Sequence, residues 1–228
     1  MTSPIPPTDP RDQKHYFFAD TFIRRVITLL TRFLFWLAAE WRVSGVENLP
    51  PEGPVVLAAN HLTEFDMFPM QYAIPRLLFF MGKAELFRNP IMDVLFRHLG
   101  AFPVERGARD QWAIQQALKV LQQVQVLGIF PEGTRSRGRG LLPAKTGAAR
   151  LAIEAKCPVV LMAVNGTQRV LKHFPRREQV TITLSEPLYP RSGEAALDFT
   201  DRPMFKLAEM LPPEERGVYA EKPKGFED

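Results

Sequence analysis

Two periods of apolar and polar positions run along this chain, a helical one first and a mixture afterwards. Over residues 16–43, "YFFADTFIRRVITLLTRFLFWLAAEWRV", the spacing predicts one helix with Ile23, Val26, Ile27, Leu30, Phe33, Leu34, Leu37 and Trp41 on a broad apolar face. Arg24, Thr28, Thr31 and Arg32 gather on the other side. Spanning a bilayer takes about 20 mostly uncharged residues, and Arg24, Arg25, Arg32 and Glu40 interrupt this stretch. Two tryptophans and several phenylalanines opposite arginines suit an amphipathic helix lying in a membrane interface; the same pattern also suits a core helix.

Beyond residue 43 the pattern becomes short apolar runs separated by helical stretches. Runs at 53–60, 76–82, 100–104, 126–130 and 158–164 read as buried strands, and the threonine alternation of 180–185 reads as an exposed or edge strand. Helical spacing covers 110–125 and 145–156, with one more helix near 202–211. This alternation predicts a single α/β domain with a largely parallel or mixed sheet flanked by helices. The expected division is a disordered arm at 1–15, the amphipathic helix at 16–43, the α/β domain at 44–185, and a Pro-rich tail at 186–228 that packs on the domain or is partly flexible.

Composition narrows this picture modestly. A chain of 228 residues can bury one sizeable core. Its formal net charge of +4 suits anionic partners without choosing among phosphate ligands, nucleic acid and acidic lipid. Cys157 is the one cysteine, which precludes an internal disulfide. Residues 1–15 lack an apolar core and so do not read as a secretory signal.

In sheets of this kind, ligands gather outside the carboxyl ends of the strands. Asn60, His61, Arg106 and Glu132 all lie just past predicted strands. In "NHLTEFD", His61 has two candidate carboxylates, Glu64 and Asp66. An i to i+5 pair does not share a face within one helix. With His61 in the turn before a helix and Asp66 in its first turn, the imidazole can fold back so that the carboxylate takes Nδ1–H and Nε2 becomes a base. A packed structural histidine fits the local sequence equally well. There is no HExxH motif or cysteine cluster, so no metal site is expected, and no GxSxG elbow to supply a serine nucleophile. "FPEGTRSRGRG" (130–140) combines a tight turn, a hydroxyl and a guanidinium that can cradle a phosphate or oxyanion, or can be a solvated basic loop.

Together these stretches resemble the glycerolipid acyltransferase family typified by bacterial 1-acylglycerol-3-phosphate acyltransferase. "NHLTEFD", "GAFPVERG", "FPEGTRS" and "CPVVLMAVNG" look like its four motifs in order, with "MGKAELFRNP" and "AKTGAARLA" similar to its connecting segments, from about residue 43 to 167. The resemblance implies acyl transfer from an acyl-CoA or acyl carrier protein thioester to a glycerolipid hydroxyl, 1-acyl-glycerol 3-phosphate giving phosphatidic acid. Glycerol 3-phosphate, a lyso-phospholipid or an amino-acid lyso-lipid is the alternative acceptor, and a non-catalytic lipid-binding protein the alternative of another class. It makes His61 the general base and chooses Asp66 over Glu64 as its orienting partner. Lys83, Arg106, Glu132, Gly133, Thr134 and Arg135 become the substrate-binding set, with Arg150 a further addition. It implies no cofactor and no nucleic acid. The expected partners are a lipid acceptor, a thioester donor that includes acyl carrier protein, and a membrane surface, with the protein peripheral or monotopic on the cytoplasmic face.

Overall fold

The structure, a computed structural model, describes residues 9–63, 66–105, 107, 110–173, 176–223 and 226, with the side chain of Leu171 excepted. Seven strands form one mixed sheet: β1 (Ala39–Ser44), β2 (Val55–Ala59), β3 (Leu78–Lys83), β4 (Ala101–Val104), β5 (Val126–Ile129), β6 (Val159–Asn165) and β7 (Glu178–Leu184). Their spatial order is β1-β7-β6-β2-β5-β3-β4, parallel throughout except for the β6–β7 pair. The helices are α1 (Phe22–Ala38), α2 (Met67–Ala73), α3 (Pro90–His98), α4 (Gln111–Gln122), α5 (Gly147–Ala155), α6 (Thr167–His173) and α7 (Asp198–Glu209).

Central strands covered on both faces need apolar side chains in both directions. Val56, Ala58, Leu127, Ile129, Val159, Leu161 and Ala163 therefore point into one core with α4, α5 and α7, while Val55, Leu57, Ala59, Val126, Val160 and Met162 point into another that includes α2. The β2-to-β3 and β3-to-β4 crossovers advance one way along the sheet, and β4-to-β5 and β5-to-β6 return. Right-handed crossing puts α2 and α3 on one face and α4 and α5 on the other. Helix α1 packs on α2, on the first of these faces.

Three sequence expectations change. The helix predicted for 16–43 ends at Ala38, and 39–44 becomes β1, pairing with β7. No Gly or Pro marks the break. Tertiary pairing makes it, and the Arg177 guanidinium caps the helix end through the Trp36 and Ala39 carbonyls. Strand β7 is interior, the edges being β1 and β4. Its threonines alternate with buried Val180, Ile182 and Leu184 because one face is covered, not because its backbone edge is open. The arm is packed from residue 9 onward: Arg11 forks onto Asp110 at 2.6 and 2.9 Å and lies over Trp112, whose Nε1–H donates to Asp12.

The orientation of α1 is inverted relative to an ordinary surface helix. Its polar side faces the domain: Arg24 is buried, donating to the Leu78 carbonyl at 2.6 Å and Gln71 Oε1 at 3.0 Å. Burial pulls its guanidinium down to about 10, which still leaves it charged at neutral pH. Phe22, Ile23, Val26, Leu29, Leu30, Phe33, Leu34, Trp36 and Leu37 are exposed. The core-helix reading, which buries that face, does not hold.

Candidate active site

The C-terminal ends of three adjacent parallel strands, β6, β2 and β5, build the site. Asn60, directly after β2, is buried and exchanges two 2.8 Å hydrogen bonds with the Val164 backbone of β6. That side-chain clamp ends the strand and fixes where the next residue emerges. His61 follows, its ring stacked on Phe130 with centroids 4.1 Å apart.

His61 Nδ1 lies 2.9 Å from Oδ2 of Asp66, which is fully buried as the N-cap residue of α2. The carboxylate does not cap its own helix. It turns back and accepts the N–H groups of Leu62 (2.6 Å) and Thr63 (2.7 Å) and the hydroxyls of Thr63 (2.7 Å) and Thr167 (3.2 Å). With Oδ2 already accepting two backbone N–H groups, the carboxylate is an acceptor toward the ring as well, so Nδ1 is the nitrogen that carries the hydrogen. Nε2 is then the nitrogen able to take a proton from a hydroxyl. Glu64, the rival orienting partner, lies outside the described residues.

Glu132 occupies a different position from the one expected of a substrate contact. It is buried, and both carboxylate oxygens are spent on backbone: Oε1 accepts His61 N–H at 2.8 Å and Oε2 accepts Leu142 N–H at 2.9 Å. Burial pushes its carboxyl upward, against the two amide donors. The loop after β5 is also tied to His61 by Ser136 N–H on the His61 carbonyl, 2.8 Å. Gly133 sits at φ +67° in this loop, a left-handed conformation that favours glycine, with the Lys145 stem against the place a Cβ would take.

The tail holds this loop from outside. Leu141 donates to the Glu215 carbonyl and accepts from Val218 N–H, and Ala144 N–H donates to Tyr219 Oη at 2.9 Å. Nothing in the composition of 186–228 signals that role.

From His61 a cleft of about 580 Å³ runs between α4 and α5, with an apolar floor that includes Met81, Ile114, Ile129 and Leu151. Gly133, Lys145 and Arg150 line it as well. Its size is that of a pocket for a small or elongated organic ligand. No cluster of metal-ligating side chains occurs among the described residues.

A family model described as Acyltransferase matches residues 40–165. The chain belongs to the acyltransferase family. Its relatives' names place it among the O-acyltransferases. A 1-acyl-sn-glycerol-3-phosphate acyltransferase from Bacillus subtilis (strain 168) is 31% identical over 149 residues, covering 65% of this chain and 73% of that protein. The Haemophilus influenzae protein of the same name is 31% identical over 137 residues, and the match spans little more than half of its length, 56%, and 59% of this chain. The fold matches the crystal structure of the 1-acyl-sn-glycerophosphate (LPA) acyltransferase PlsC from Thermotoga maritima with a TM-score of 0.67, at 22% identity, over 82% of this chain and 78% of that one.

The residues expected from the acyltransferase motifs separate in the structure. His61 and Asp66 meet, and Gly133 lines the same cleft. Thr134 is exposed and Arg135 half-buried on the loop after β5. Lys83 ends β3 at the same edge of the sheet, but its ammonium is exposed, 3.3 Å from Glu85, and it is not among the residues lining the cleft. Arg106 lies outside the described residues; its neighbours Glu105 and Gly107 line the cleft. Thr167, which the sequence reading passed over, reaches Asp66 from the turn after β6. Gly166 at φ +100° makes that turn, where a Cβ would collide with the Gln179 carbonyl. The rule that singled out His61, a polar residue just past a buried strand, applies equally to this "NGT".

Proposed function

We propose that the protein transfers an acyl group from a thioester, on coenzyme A or acyl carrier protein, to the free hydroxyl of 1-acyl-glycerol 3-phosphate, yielding phosphatidic acid. The observation that carries this reading is the buried Asp66 against His61 Nδ1 at the end of a cleft sized for a ligand. His61 Nε2 removes the acceptor hydroxyl proton as the oxygen attacks the thioester carbonyl. The C–S bond then breaks and the imidazolium gives its proton to the departing thiolate, releasing a free thiol and neutral His61, so the protein needs no nucleophile of its own. Asp66 stabilises that imidazolium. Gly133, Thr134, Arg135 and Arg106 receive the acceptor phosphate, with Lys83 as an outer cation that gives up Glu85 to reach it; Glu132 holds the frame.

A lipid acceptor requires work at a bilayer. The outward apolar face of α1, flanked by Arg25 and Arg32, supports attachment by a helix lying in the interface, on the cytoplasmic face. No helix among the described residues is long and apolar enough to cross a membrane. The test is acyl transfer by the purified protein with acyl-CoA and acyl carrier donors against 1-acyl-glycerol 3-phosphate, glycerol 3-phosphate and lyso-phospholipids. Turnover with 1-acyl-glycerol 3-phosphate, lowered about a hundredfold or more by His61→Ala, is expected. Turnover only with another acceptor would move the substrate assignment, and normal turnover by His61→Ala would remove the mechanism.

A further inference from the structure

Seventeen large apolar side chains are exposed among the described residues, and their distribution is not random. Nine belong to α1. Four more, Leu86, Ile91, Met92 and Val94, occupy one short stretch between the end of β3 and the middle of α3. The other four, Val124, Tyr189, Leu197 and Val218, stand singly, as scattered surface hydrophobes ordinarily do.

The 86–94 stretch is rigidly presented. Phe87 is buried in the turn that carries Leu86 and packs on Phe96. Asn89 Oδ1 accepts the N–H groups of Ile91 and Met92, and Pro90 occupies the first helical position, so α3 begins firmly where Ile91 is 72% exposed. On the other side of the same short helix Asp93 is buried and paired with Lys14 and Arg97. The apolar residues are turned outward, from 37% exposed at Met92 to 72% at Ile91.

Helix α3 lies on the sheet face that also carries α1, and its far end touches the start of α1: Thr21 Oγ1, at the N-cap of α1, lies 3.3 Å from His98 Nδ1, and Phe17 stacks on His98. The stretch also starts at Lys83, the last residue of β3 and therefore at the catalytic edge of the sheet. Lys83 and Arg88 are both exposed beside it, with Glu85 against Lys83.

We infer that Leu86, Ile91, Met92 and Val94 form a second membrane-contacting patch, which together with α1 sets the domain on an anionic bilayer at two points and tilts the catalytic edge toward the lipid. Two separated apolar contacts fix an orientation that a single helix leaves free to roll. Charge decides between a bilayer and a second copy of the chain. Two exposed cations, Lys83 and Arg88, against one exposed carboxylate, Glu85, leave the rim of the patch net positive, which acidic headgroups complement and an identical rim on a second copy does not. The purpose of the patch rests on the proposed lipid acceptor, but its test reads insertion alone, so a failed acyl-transfer assay and a failed insertion are separate results.

Cys157 is buried with its thiol pushed up to about 11, so a single introduced cysteine can be labelled selectively. An environment-sensitive NBD probe attached through Ile91→Cys is compared with one attached through Leu197→Cys at the start of α7, on the opposite face of the sheet. Both are mixed with phosphatidylglycerol/phosphatidylcholine vesicles, and bound protein is separated by flotation. The probe at 91 should shift to the blue, brighten and be quenched by spin-labelled lipid, and the probe at 197 should do none of these. The double variant Leu86→Ser/Ile91→Ser should lower the vesicle partition coefficient by about tenfold or more, with an unchanged melting temperature. A water-like probe at 91 on floated protein overturns the inference, as does failure to float. So does a blue shift that grows with protein concentration in the absence of lipid, which would instead report a second copy on the patch.

Discussion

Oδ2 of Asp66 receives His61 Nδ1 at 2.9 Å together with the backbone N–H groups of Leu62 and Thr63. One buried oxygen therefore fixes both the tautomer of the base and the turn that presents it. His61→Ala removes the base alone, and kcat should fall about 10²- to 10⁴-fold with little change in melting temperature. Asp66→Ala should fall as far in kcat and also lose stability, because two N–H groups lose their acceptor. Steady-state kinetics paired with thermal melts separates the two. Equal thermal effects would mean that Asp66 does not organise the turn.

Thr167 tunes the same carboxylate. Its hydroxyl is the more distant donor to Asp66 Oδ1, 3.2 Å against 2.7 Å from Thr63. Thr167→Val removes that donor at similar volume, and kcat should drop about three- to tenfold, as for loss of one hydrogen bond to a charged group. Thr167→Ser keeps the hydroxyl and should retain most of kcat. An equal loss in Thr167→Ser and Thr167→Val would make Thr167 a packing residue only.

Much of this was legible before the structure. The buried strands announce themselves because both faces are covered, leaving continuous apolar runs such as "VVLAA", and the post-strand rule locates His61. What stayed hidden depends on partners distant in sequence. Nothing near Ala38 predicts a helix-to-strand switch, since β7, some 140 residues away, dictates it. The backbone partners of Glu132 were hidden for the same reason. A carboxylate after a strand looks like a ligand contact until the amides of His61 and Leu142 are seen to occupy it. The amphipathic period of α1 was readable, but which side faces outward was not, because Arg24 finds its partners on α2 and β3.

Glu132 gives a pH signature with a defined sign. Burial raises its carboxyl pKa in the folded protein above the unfolded value. Its contribution to stability is therefore present below the ordinary glutamate range and is lost as pH rises through the folded-state pKa. Glu132→Gln cannot ionise, and it also loses an acceptor for one of the two amides. The variant should be less stable at every pH, and its deficit in melting temperature should narrow between pH 4 and pH 8. A deficit that widens across this range would mean that the carboxylate is stabilised in the fold.

The inverted face of α1 calls for substitution rather than truncation. Deleting residues 1–42 would remove most of β1 from the sheet edge along with the buried Arg24, so lost vesicle binding could simply report unfolding. Leu29→Glu/Phe33→Glu changes only exposed side chains and should leave the melting temperature within a degree or two, since surface changes are usually worth under about 0.5 kcal/mol. Vesicle binding should fall by more than tenfold, because two apolar contacts are replaced by charges that anionic lipid repels. Arg24→Ala is the complementary variant. It leaves the Leu78 carbonyl without its donor, so stability should drop by about 1–3 kcal/mol, while the outer apolar face is unaltered. If Leu29→Glu/Phe33→Glu melts early and still binds vesicles fully, α1 is a structural helix and the bilayer meets the protein elsewhere.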